Sequence, residues 1–186
     1  MKYTRNIDDS VKIIALDFIL YCPASVKKGN QIFPVSRRGC SFKERGIQKT
    51  LLQTMLSQVK KELPSRKCYL KIKAGESLVE KIHSMGKTDV LSDLNHEYIV
   101  LCEHSSMSET EAVFYYIRNA FAHGSFSVED VDGSNRRYLL ECDKDDIPKA
   151  RMLLKESTLK RYRDLIRITP KELAALQKKR KSLTYQ

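Results

Sequence analysis

Arg118, Asn119 and His123 lie within six residues of one another, inside a stretch that is otherwise almost wholly apolar. Together they could perform phosphoryl chemistry on RNA. An imidazole titrates near neutrality and serves as base or acid. A guanidinium stays charged and matches phosphate oxygens with a planar fork. An amide orients either group. RNA needs no metal for its own cleavage: a base removes the 2′-hydroxyl proton, an acid protonates the leaving 5′-oxygen, and positive charge steadies the phosphorane between them.

The element that must position them is residues 108–124, SETEAVFYYIRNAFAHG. Ser108 and Glu111 form a capping box that predicts the helix start, and Gly124 predicts a left-handed exit. Val113, Phe114, Tyr116, Ile117, Ala120, Phe121 and Ala122 point in most directions around the cylinder, so the helix is expected to be buried. Asn119 and His123, four apart, share a face. Arg118 and His123, five apart, diverge by roughly 140° at 3.6 residues per turn. A second copy of the helix across a two-fold axis could supply the facing group. The plainer reading is that His123 meets the last carbonyls of its helix while Arg118 and Asn119 serve neighbouring structure.

The run IRNAFAHG resembles the signature of the HEPN superfamily (higher eukaryotes and prokaryotes nucleotide-binding), in which Arg, often followed by a polar residue, precedes His by four to six positions. The resemblance implies a mainly α fold: a helical bundle over residues 1–168, with the motif helix at 108–124, a small β-hairpin at 126–141 and a basic helix or tail over 169–186. It implies a metal-independent endoribonuclease with Arg118, Asn119 and His123 as catalytic residues, leaving 2′,3′-cyclic phosphate and 5′-hydroxyl ends. No cofactor is called for. It further implies RNA as partner, a homodimer with a composite site, and a toxin-like or defence role, with an antitoxin or defence-complex partner. Members neutralised by nucleotidylation carry a Tyr two residues after the His. Here that residue is Ser125, which argues against that mode of control. The alternative functions are an RNA- or nucleotide-binding module without catalysis and a dimerisation domain of a defence complex.

The rest of the chain bounds these readings. Its 186 residues suit one domain, and 34 basic against 23 acidic residues give a formal charge of +11, which favours a polyanionic partner. The five cysteines are scattered, without a Cys-x-x-Cys pair, as expected of free thiols in a reducing compartment such as the cytoplasm. No apolar run reaches the ~20 residues of a membrane span. His83, His96, Cys102 and His104 fit no zinc spacing, so no metal site is expected. Ser57-x-x-Lys60 matches a serine-nucleophile pattern by chance on an amphipathic helix.

Helices are expected over 10–21, 41–63, 76–85 and 148–168. Thr169, Pro170 and Glu172 mark the opening of another, which runs into the basic residues 178–181. Residues 26–40 read as a basic loop in which Arg37 and Arg38 could touch phosphates. Residues 69–72 read as a short extended piece, and 98–102 as a strand or a buried helical turn. Asp132-Gly133 signals a hairpin turn whose return carries Arg136 and Arg137, two further candidates for nucleic-acid contact.

Overall fold

A computed structural model describes residues 7–22, 24–28, 31–35, 42–43, 45–73, 75–87, 97–130 and 136–184. Six α-helices are present among them: α1 Asp9–Tyr21, α2 Lys49–Lys61, α3 Leu78–Ser84, α4 Glu109–Ala122, α5 Glu156–Arg167 and α6 Pro170–Thr184. The strands are β1 Ala24–Lys28, β2 Gln31–Val35, β3 Tyr69–Ile72, β4 Tyr98–Cys102, β5 Phe126–Asp130, β6 Arg136–Lys144 and β7 Ile147–Lys155.

The expectation of a mainly α bundle is overturned by a five-stranded mixed sheet, ordered β3-β4-β7-β6-β5; the fold is α/β. Two readings caused the error. Residues 148–168 are not one helix: β7 occupies the first part and α5 the second. Residues 26–40 are not all loop, because β1 and β2 form an antiparallel pair.

The hairpin expected at 126–141 exists as β5 and β6, but β6 continues to Lys144 and turns into β7. That second turn is Asp145-Asp146, both with positive φ (54° and 59°), the conformation that a two-residue hairpin needs. β7 pairs with β6 on one side and β4 on the other, so it joins two pieces that would otherwise be separate. β3 and β4 are parallel with α3 in the crossover between them. Tyr98, Ile99, Val100 and Leu101 are all buried. Side chains alternate along a strand, so four buried in succession require cover on both faces.

Helix α4 opens with the expected box. The Glu111 N–H donates to Ser108 Oγ over 3.3 Å, and the Ser108 N–H donates to Glu111 Oε2 over 2.9 Å. Its apolar circumference, apart from the exposed Ala122, is largely covered by its own chain: it packs on α1, α2 and β6. Phe121 stacks on Phe18 of α1 at 5.7 Å, and Phe114 meets Tyr162 of α5 edge-on at 6.5 Å. Two bonds fasten its first turn to α2. The buried Thr110 hydroxyl donates to the Leu52 carbonyl over 2.7 Å, and Glu109 pairs with Lys60 at 2.8 Å. The Tyr162 hydroxyl donates to the Val59 carbonyl over 2.9 Å, locking α5 to the same helix. Helix α6 opens with Thr169 and Glu172 bonded reciprocally and buries Leu173.

Candidate functional site

The end of α4 is what presents the chemistry. His123 is the C-cap, and Gly124 follows at φ 66°. The Ser125 N–H donates to the Ala120 carbonyl over 2.9 Å and the Gly124 N–H to the Phe121 carbonyl over 3.3 Å, the paired bonds of a Schellman ending. The Glu141 N–H then donates to the Ser125 carbonyl over 2.9 Å, so the chain runs directly into the sheet. His123 is thereby held exposed at the junction of helix and sheet, with Asn119 half-buried one turn before it.

Both line a cleft of about 900 Å³. Its walls are residue 102 at the end of β4 with residues 103–105 after it, residues 141–144 at the end of β6, residues 147–149 at the start of β7, and the segment between β3 and α3. Arg118 lies elsewhere, as the divergence of directions requires. It is half-buried toward α1, close enough for its charge and that of Arg45 to act on the Cys22 thiol. Its Nη1 donates to Asn119 Oδ1 over 2.9 Å, while its buried Nε has no hydrogen-bond partner among the described residues. The three motif residues therefore form a relay, not a convergent trio: Arg118 fixes Asn119, and Asn119 shares the cleft with His123. With Oδ1 engaged, Asn119 offers the cleft its NH2 donors.

The cleft is cationic once its ion pairs are counted, with Glu141 and Asp143 sharing one guanidinium. Glu76 pairs with Lys81 at 3.0 Å, Glu103 with Lys71 at 2.9 Å, and Glu141 and Asp143 with Arg151 at 3.1 and 2.7 Å. Lys73, Lys144 and Lys149 also line the walls, and none of them makes a salt bridge among the described residues. Cysteine nucleophiles are not part of the chemistry. Burial pushes the Cys142 thiol up to about 12, and burial raises Cys102 as well, against the opposing charge of Lys149.

The remaining candidates among the described residues do not line the cleft. Arg136 pairs with Asp8, with Asp130 at 3.3 Å and with Glu156 at 3.9 Å. Arg137 is 1 % exposed and so is no surface contact for a phosphate. Arg37 and Arg38 fall outside the described residues, as does His96. Lys60 of the Ser57-x-x-Lys60 pattern is engaged by Glu109 and lies 4.1 Å over the Tyr69 ring. Among the described residues no three His, Cys, Asp or Glu side chains come together as a metal site.

Sequence reasoning missed His104, Lys144 and Lys149 as cleft residues. His104 was weighed only as a metal ligand. Lys144 and Lys149 flank the Asp145-Asp146 turn, which becomes readable only when β7 is recognised as a strand. No protein-family model, no curated protein and no solved structure matches this chain.

Proposed function

We propose that this protein is a metal-independent endoribonuclease of HEPN type, acting on single-stranded RNA in the cytoplasm. The observation that carries the reading is that Asn119 and His123 open together into a cleft also lined by Lys73, Lys144 and Lys149, none of which makes a salt bridge among the described residues. The motif Arg-Asn-x3-His supplies the family half of the argument, and the cationic cleft supplies the independent half.

In this reading Lys73, Lys144 and Lys149 draw the backbone in. The Asn119 amide and the lysines hold phosphate oxygens, and His123 accepts or gives up a proton at one of the reacting oxygens. Arg118 acts through Asn119. One exposed imidazole serves one proton transfer at a time, and a homodimer would supply the second. The chain would belong to a toxin or defence system.

The test is a 5′-labelled single-stranded RNA incubated with purified protein in EDTA. Cleavage leaving a 2′,3′-cyclic phosphate is expected. His123→Ala and Arg118→Ala should each slow it at least ~100-fold, the low end for losing an acid–base group or an oriented donor. Arg118→Lys should restore little, because an ammonium lacks the planar fork. Tight binding without cleavage across a broad RNA panel would instead make the protein a binding module.

A further inference from the structure

The second imidazole of the cleft, His104, is held in a way that assigns it a different task from His123. Its ring lies edge-on to Tyr115 with centroids 5.2 Å apart, and to Tyr116 at 6.4 Å. The backbone N–H of Ser106 donates to its Nδ1 over 3.3 Å, with the Ser106 hydroxyl 3.4 Å from the same nitrogen. An amide N–H can only donate, so Nδ1 must keep its lone pair. The neutral ring therefore carries its proton on Nε2.

A second proton is opposed from several directions. Accepting it at Nδ1 would turn the Ser106 contact into a clash of two donors. Burial lowers the affinity of His104 for that proton, and the charge of Lys144 from β6 lowers it further. The other titratable groups facing it are the phenols of Tyr115 and Tyr116 on α4, and the adjacent Glu103 is already paired with Lys71. A ring so held cannot accept at Nε2 and does not carry the charge of an acid. It is a fixed N–H donor.

We propose that His104 is a positioning residue whose Nε2–H donates to a non-bridging phosphate oxygen of bound RNA, holding that phosphate beside His123. The proposal rests on the ribonuclease reading above for its ligand. A phosphate is the partner assigned because the neighbouring donors in the cleft are Lys73, Lys144 and Lys149. The Nε2 proton stays on His104 throughout, so no bond to it forms or breaks.

Glutamine can place an amide N–H near the position of Nε2–H, whereas asparagine is one bond too short. In the full-length protein, His104→Ala and His104→Asn should slow RNA cleavage roughly 10-fold, as for one lost neutral hydrogen bond, while His104→Gln keeps most of the rate. The limbs of the pH–rate profile should stay in place in all three. A second measurement needs no activity. A long-range ¹H–¹⁵N correlation of wild type at pH 7 should show His104 as the neutral Nε2–H tautomer, and its Nε2 signal should move when uridine 3′-monophosphate is added. An imidazolium, an Nδ1–H tautomer or an unmoved signal overturns the proposal, as does His104→Ala cleaving at the wild-type rate. Wild type that leaves RNA intact yet shows the nucleotide-induced shift rejects the ribonuclease reading and retains His104 as a phosphate donor.

Discussion

At the scale of residues, the site divides labour between two imidazoles by their surroundings. His123 stands exposed at a helix end, while His104 is half-buried between aromatic rings, the Ser106 amide and Lys144. The shift at His104 has a consequence for stability. Its folded affinity for a proton lies below the ordinary value of 6.5, so over the interval beneath 6.5 the unfolded chain binds more protons than the native one. Stability must then fall as the pH drops through that interval. His104→Gln, which cannot titrate, should flatten this part of the profile in chemical denaturation at a series of pH values between 7 and 5. An unchanged slope would mean that His104 has the same proton affinity in the folded and unfolded states. Asn119 gives a second residue-scale prediction. Asn119→Asp keeps an oxygen for Arg118 but loses the NH2 donors and adds negative charge beside the lysines. RNA cleavage should fall by roughly 100-fold or more, with the thermal midpoint nearly unmoved.

At the scale of elements, α4 was legible and β7 was not, for physical reasons. The start of α4 is encoded by a local hydrogen-bond pair, and its burial by an apolar circumference that any packing must cover. Ser108→Ala removes one side of that box and should cost ~1 kcal/mol, lowering the thermal midpoint by about 2–4 °C in a domain of this size. A midpoint unmoved in differential scanning calorimetry would show the box to be dispensable. Strand β7, in contrast, reads Ile-Pro-Lys-Ala-Arg-Met-Leu-Leu-Lys. Ala, Arg, Met, Leu and Lys are good helix formers, and nothing local says that they lie flat. Pairing with β6 across the Asp145-Asp146 turn and with β4, far earlier in the sequence, decides the conformation. The Asp-Asp turn is a weaker hairpin signal than Asn-Gly, so the break between β6 and β7 was hidden too. This strand joins β4 to β6 in the five-stranded sheet, and it brings the cleft wall that holds Lys149. Leu153 sits fully buried in its middle, so Leu153→Ala should cost ~2–5 kcal/mol in denaturant unfolding.

At the scale of the whole molecule, the distribution of charge decides more than its sum. A formal +11 permits many polyanions and specifies none. What narrows the choice is that the four carboxylates lining the cleft pair with Lys71, Lys81 and a shared Arg151, so that Lys73, Lys144 and Lys149 outweigh the one carboxylate charge left over. A lysine that neutralises a phosphate of single-stranded nucleic acid releases a condensed counterion, so each contributes about 0.7 to the slope of log K against log salt. Changing all three lysines to Gln should therefore shrink that slope by about 2. A comparable triple change of exposed lysines on α6, Lys171, Lys178 and Lys179, should leave the slope almost intact, because none of them lines the cleft. The measurement is fluorescence-anisotropy titration of a labelled single-stranded RNA at several salt concentrations, with circular dichroism confirming that both variants fold. If the α6 variant loses as much slope as the cleft variant, the attraction is spread over the surface and the cleft has no special claim on the strand. A loss confined to the cleft variant would place the RNA backbone beside Asn119 and His123, where the chemistry requires it.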